Sequence, residues 1–232
     1  MRDAENATVR LSEYAPPAYL IDEIALVFML EPEATIVAAS SHVRRSGAAP
    51  APLELSGERL DLQSISIDGE PLSMDKYRLE PGKLIILDPP AAFRLDIVTR
   101  INPAGNTHLE GLYMSGGRFC TQCEAEGFRA ITYFLDRPDV LARYAVRIEA
   151  DWNAYPTLLS NGNLTESGEM EGNRHYAVWV DPTPSHRTCS RSAPANTSRS
   201  TMPSPRGAAV RSNSAFMSIP AIQSARSMPW TR

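Results

Sequence analysis

The sequence predicts a mainly β protein, a set of curved antiparallel sheets with sandwich-like packing, over residues 1–182. Three observations predict it. Apolar residues recur with period two through most of the stretch from Tyr19 to Val180. Turn-forming pairs rich in Gly, Pro and Asn separate the runs. Many short strands joined in this way are what an antiparallel sandwich or curved sheet system requires.

The runs follow in order. Ile24, Leu26, Phe28 and Leu30 share one strand face. Leu60 and Leu62 open a second run that Ile65 and Ile67 continue beyond it. Phe93, Leu95 and Ile97 alternate with Arg94, Asp96 and Val98. Val146 and Ile148 alternate with Arg147 and Glu149, and Tyr176, Val178 and Val180 close the series. Between them stand Asp68-Gly69, Pro81-Gly82, Pro89-Pro90, Ser115-Gly116-Gly117, Asn161-Gly162 and Glu171-Gly172-Asn173. One stretch departs from the pattern. Asp136 to Tyr144 reads as a short helix with Pro138 in its first turn.

The 232 residues suit one large domain or two small ones, and their charge is unevenly spread. Up to Pro182 there are 16 basic and 27 acidic residues, net −11; the last 50 residues carry 7 Arg and no acid, net +7. No apolar run reaches the roughly 18–20 residues of a membrane span, and Ile24–Leu30 is only strand-sized. The N-terminus lacks a basic region followed by an apolar one, and three cysteines argue against a disulfide framework. Cytoplasm is the compartment expected, with no membrane partner.

Chemistry-bearing motifs are few. Cys120 and Cys123 form a C-x-x-C pair, but tetrahedral zinc needs two further ligands, and redox use needs a strand-to-helix context. The histidines, His42, His108, His175 and His186, never form His-Glu-x-x-His, the helical spacing that binds zinc and activates water. No catalytic residue, metal ligand or bound cofactor is therefore assigned to this chain. His108 and His175 read as polar or capping residues. Glu126, Asp136 and Asp139 read as surface or helix-start charges, and Arg129 and Arg137 as organisers of that acidic segment.

The most specific segment is Cys120-Thr121-Gln122-Cys123-Glu124-Ala125-Glu126-Gly127-Phe128-Arg129, continuing to Leu135-Asp136-Arg137-Pro138-Asp139-Val140. Tyr14-Ala15-Pro16-Pro17, Gly111-Leu112-Tyr113, Leu158-Leu159-Ser160-Asn161-Gly162-Asn163 and Trp179-Val180-Asp181-Pro182 accompany it. Together they resemble the N-terminal domain of the bacterial alanyl aminopeptidase N family, zinc enzymes that release residues from peptide N-termini. The resemblance implies that Glu124 accepts the substrate α-ammonium and that Gln122 shapes the same pocket. It also implies peptide N-termini as ligands, a catalytic domain as packing partner, and zinc in the intact enzyme. A second carboxylate, in a Gly-Ala-Met-Glu-Asn loop of the catalytic domain, shares the ammonium in complete enzymes; this chain has no such loop. Inactivity of the chain alone follows from that resemblance. Without it, Glu124 reads as an ordinary solvated acid.

Residues 183–232 read differently, with 11 Ser, 6 Pro, 7 Arg and no Lys. Such a composition cannot offset chain entropy by burial, so disorder is expected. The chain has 21 Arg against Lys76 and Lys83 alone, as a GC-rich gene would give. Synonymous codons for this tail, read two bases later, permit strings similar to the family's continuation. A frameshift near the Pro182 codon is the expected origin. The alternative is a free-standing β-sandwich binding or adaptor module with a basic nucleic-acid-binding tail. Lack of interleaved aromatics argues against a nucleic-acid partner.

Overall fold

The computed structural model describes residues 14–185 and the backbone of residues 191–193. The first strands in the chain are β1 (Tyr19–Met29), β2 (Thr35–Arg45), β3 (Leu53–Ser56), β4 (Asp61–Ile67) and β5 (Glu70–Pro71). There follow β6 (Tyr77–Glu80), β7 (Lys83–Ile86), β8 (Ala92–Ile101), β9 (Gly111–Ser115) and β10 (Arg118–Gln122). The rest are β11 (Ala142–Asp151), β12 (Thr157–Leu159), β13 (Asn163–Met170), β14 (Arg174–Ser185) and β15 (Arg191–Ala193). Helical structure among the described residues is limited to single 3-10 turns at Met74–Lys76 and Phe128–Ala130.

Among the described residues these strands form three sheets. The largest has eight strands in the order β13-β14-β11-β1-β2-β8-β4-β5; a second runs β12-β15-β10-β9, and a third β3-β7-β6. All three turn apolar faces to one core. Tyr19, Ile24, Leu26 and Phe28 from β1 meet Leu53 and Leu55 from β3, Leu84 and Ile86 from β7, and Phe119 from β10. Burying each such side chain is worth about 1.5–3 kcal/mol, which makes this shared core the main source of cohesion.

The mainly β expectation holds, and the faces predicted for β1, β8 and β11 are the buried ones, whereas of Leu60, Leu62, Ile65 and Ile67 only Ile65 is fully buried. Ile24, Leu26, Phe28 and Leu30 are buried, as are Phe93, Leu95, Ile97, Val146 and Ile148. The parity change between Leu62 and Ile65 corresponds to a bulge in β4 against β8, between Leu62 and Ser64.

Several details differ. Not every pairing is antiparallel: β1 and β11 run parallel, with Ile24 opposite Tyr144 and Phe28 opposite Ile148. Parallel neighbours need a long crossover, which the chain between them supplies. The helix expected over Asp136–Tyr144 is absent. Val140 N–H closes one turn on Arg137 O, and the chain is already in β11 at Ala142. Arg137 holds the segment open by donating to the Asp139 carboxylate at 2.9 and 2.7 Å and to Ala15 O at 2.9 Å. On β14 the buried residues are His175 and Ala177, not Tyr176, Val178 and Val180. Tyr176 instead lies under the Arg147 guanidinium, 3.6 Å from the ring centroid.

The boundary expected after Pro182 falls inside β14, which runs to Ser185, and Arg191–Ala193 pair with β10 and β12. The disorder expected of the remainder, residues 186–190 and 194–232, concerns positions outside the described residues. Among the described residues no helix is long and apolar enough to cross a membrane.

Candidate functional site

β10 lies between β9 and β15 and delivers Gln122 to the end of its sheet, where the chain turns through Cys123–Gly127 into the 3-10 turn Phe128–Ala130. Burial alternates sharply here. Cys123 and Phe128 are fully buried, while Glu124, Ala125 and Glu126 between them are exposed. Phe128 packs edge-on against Phe134, with ring centroids 4.8 Å apart, and against Tyr144 at 6.0 Å. The turn is therefore pinned at both ends by apolar anchors and presents its acids outward.

Glycine is required to make the turn this tight. Gly127 N–H donates to Cys123 O at 3.0 Å, and a Cβ at Gly127 would stand 2.4 Å from Gln122 O. Gly111, at φ +69°, lets β9 start against Ala130; a Cβ there would lie 2.8 Å from the Ala130 methyl. The Glu124–Ala125 peptide is cis.

The structure brings the two residues singled out by sequence together. Gln122 Nε2 donates to the Glu124 carbonyl at 3.2 Å, so the amide is fixed by the backbone of the residue it accompanies. The Glu124 carboxylate itself makes no hydrogen bond or ion pair among the described residues. It is an exposed acid on a rigidly anchored turn. Chemically, such a group can accept hydrogen bonds from a cation, with a preference for one that docks close enough to exclude water.

Behind the turn stands a polar hub that sequence reading placed only in outline. Asp136, expected at the surface, is buried, with its Oδ2 accepting from Arg129 Nε at 3.0 Å and from Arg129 N–H at 3.2 Å. Arg129 Nη1 also lies 3.0 Å from Glu126 Oε2. Arg129 thus does organise the acidic segment, through a buried partner. Among the described residues no helix follows Asp136 to explain it as a start charge. The signal that was available is the pairing of an Arg with an Asp seven residues on, too unspecific to have been read. A second polar strip borders the site: Arg59 reaches Glu58 at 3.3 Å and Glu110 at 3.6 Å, and Glu58 N–H donates to Arg129 O at 2.8 Å. Neither Arg59 nor Glu110 was anticipated.

Among the described residues the donors for a zinc ion do not fit. His42 lies on β2 opposite Arg94, His108 is exposed in the loop before β9, and His175 is buried with Nε2 2.8 Å from Tyr155 O. His186 falls outside the described residues. Cys120 and Cys123 are not in a disulfide, and among the described residues no three His, Cys, Asp or Glu converge on one point.

Comparison with known proteins fits this arrangement. A family model described as the peptidase M1 N-terminal domain matches residues 58–188, which include the whole turn and its hub. Aminopeptidase N of Caulobacter vibrioides is 54% identical over 184 residues, 79% of this chain and 21% of that protein. Aminopeptidase N of Escherichia coli is 52% identical over 172 residues, 74% of this chain and 20% of that protein. The chain spans about a fifth of the length of these curated relatives. Among solved structures, Legionella pneumophila aminopeptidase A in complex with aspartic acid superposes with a TM-score of 0.73 at 30% identity, over 79% of this chain and 22% of that one. An M1 zinc metallopeptidase from Deinococcus radiodurans gives 0.65 at 15% identity, over 77% of this chain and 42% of that one, a likeness of fold alone.

Proposed function

The chain belongs to the peptidase M1 N-terminal domain family, and from that premise we propose that it supplies the amino-group-recognition part of an aminopeptidase. Glu124 accepts the free α-ammonium of a peptide, and Gln122 shapes the same pocket while its amide braces the Glu124 carbonyl. The observation that carries this is the Glu124 carboxylate, exposed and uncommitted among the described residues on a turn anchored by buried Cys123 and Phe128. A charge-assisted contact of this kind makes the site demand an unblocked N-terminus.

Recognition is all that these residues provide. With no His-Glu-x-x-His in the sequence and no fitting donor set among the described residues, no bond-breaking step is assigned to them. Zinc, water activation and a second carboxylate for the ammonium come, on this proposal, from a catalytic domain outside the 232 residues, which packs against this one. The free thiols of Cys120 and Cys123 support a cytoplasmic setting. Residues 183–232 are read as the product of a shifted frame, supported by their composition; resequencing the gene past the Pro182 codon tests that directly.

The binding test is a titration of the isotope-labelled chain with L-alaninamide, followed by amide chemical shifts. One exposed carboxylate is worth about 0.2–1 kcal/mol to an ammonium, so affinity is weak. Shifts centred on Gln122–Gly127 are expected, absent with N-acetyl-alaninamide and absent in Glu124→Gln. Equal responses to the blocked and free amides would refute the proposal.

A further inference from the structure

Arg129 reaches two acids at once. Its Nε and backbone N–H hold Asp136 Oδ2, its Nη2 donates to Asp136 O at 3.1 Å, and its Nη1 pairs with Glu126 Oε2 at 3.0 Å. Only a planar fork with several donors spans a buried and an exposed carboxylate in this way; a single ammonium does not. The consequence falls on Glu124. Glu126 sits two residues away on the same turn, and the two carboxylates would together make a hard, oxygen-rich pair suited to a divalent cation. Arg129 withdraws Glu126 from that pair.

We infer that Arg129 is a specificity-determining positioning residue: anchored on buried Asp136, it ties up Glu126 so that Glu124 stands as a lone carboxylate, matched to a monovalent ammonium and not to a divalent metal ion. This rests on the reading of Glu124 as the ammonium acceptor. Its geometric support is independent of that reading, because the Arg129 contacts are made to groups of this chain itself. A turn bearing two loose acids would bind divalent cations in competition with a peptide N-terminus, and the cation on Arg129 removes the competitor at its source.

The test uses the full chain with two probes, L-alaninamide and Mn2+, whose paramagnetism broadens the amide signals nearest to it. In the unaltered chain, Mn2+ is expected to broaden Gln122–Gly127 no more than it broadens the neighbourhood of other exposed acids such as Glu171. Arg129→Lys keeps a cation for Asp136 and releases Glu126. It is expected to lower the Mn2+ midpoint at Gln122–Gly127 by about tenfold, while the L-alaninamide midpoint moves by less than about twofold. Adding Glu126→Gln to that variant should abolish the gain, which mere loosening of the turn would not do. Ala125→Asp supplies a second uncommitted carboxylate without disturbing the buried pair, and should gain Mn2+ binding likewise even if Arg129→Lys does not fold. Identical Mn2+ titrations in the unaltered chain and the variants would overturn the inference, as would a gain that survives Glu126→Gln. Loss of the alaninamide response in the unaltered chain would instead count against Glu124 as the acceptor, leaving the Mn2+ titrations to decide the role of Arg129.

Discussion

At the scale of single residues, the turn after β10 is held by groups whose importance differs from what their chemistry alone suggests. Gly127 carries no functional atom, yet a methyl there would sit 2.4 Å from Gln122 O and 3.1 Å from Cys123 Cα. Gly127→Ala is expected to cost about 1–3 kcal/mol through forced backbone movement, and to weaken L-alaninamide binding as Glu124 shifts. Thermal unfolding and the shift titration check both effects; a variant with unchanged stability would show that the turn has room to spare. Asp136 is the opposite case, an acid that looks superficial in sequence and is buried in the fold. Removing it takes the buried partner from the Arg129 guanidinium, whose side chain is only 19% exposed and keeps, among the described residues, only the exposed Glu126 as a charge partner, so Asp136→Ala is expected to cost about 3–5 kcal/mol. Denaturant titration measures it, and a loss below about 1 kcal/mol would mean that the pair is solvated in practice. Glu124 and Gln122 were legible only through the family's segment, because nothing in their own chemistry separates them from other surface polar residues. The burial of Asp136 was not legible at all, since it depends on Arg129 arriving from the preceding 3-10 turn.

At the scale of elements, period two identified strands well and their neighbours poorly. It found the buried faces of β1, β8 and β11, where one side of the strand is predominantly apolar. It chose the wrong face of β14, because Tyr176, Val178 and Val180 outweigh His175 and Ala177 in apolar bulk. His175 is tolerated inside by its contact with Tyr155 O and the Trp152 ring, 4.4 Å away, and Tyr176 is accommodated outside by Arg147. The parallel β1–β11 pair is set by contacts more than a hundred residues apart, which local patterning does not encode. The link from Asp136 to Tyr144 was misread because Pro138 suits a helix start as well as an open turn. The Arg137 guanidinium, bonded to Asp139, holds that carboxyl down to about 2, with help from the Tyr14 hydroxyl and against the effect of burial. A depressed carboxylate contributes stability above its unfolded value, about 3.9, and loses it as pH falls through about 2. Asp139→Asn should therefore lower stability at pH 7 by no more than about 1 kcal/mol, the pair being partly exposed. The difference from the unaltered chain should fade between about pH 4 and pH 2, and one that persists unchanged at pH 2 would rule out the ion pair as its source.

At the scale of the whole molecule, three sheets share one core, so the described residues are expected to unfold as a single cooperative unit. That expectation bears on where the chain can be shortened. A cut after Pro182 removes β15 from between β10 and β12, and should lower the unfolding midpoint, whereas a cut after Ala193 spares it. Equal midpoints for the two truncations would show that the β15 pairing contributes nothing. A second whole-molecule expectation concerns surface. Relatives about five times longer cover, on the proposed function, part of what this chain exposes. Leu109 is the most telling such residue: 53% exposed, at φ +60°, and two residues before β9, which pairs with the strand bearing Gln122. A leucine held in the left-handed region in open solvent carries both strain and an uncovered apolar side chain. Asparagine adopts that region readily and is polar. Leu109→Asn is therefore expected to hold or raise the unfolding midpoint while reducing self-association in light scattering and the binding of a hydrophobic dye. A lower midpoint would show that Leu109 packs within this chain. An unchanged midpoint with undiminished association would place the sticky surface elsewhere, away from the turn that presents Glu124.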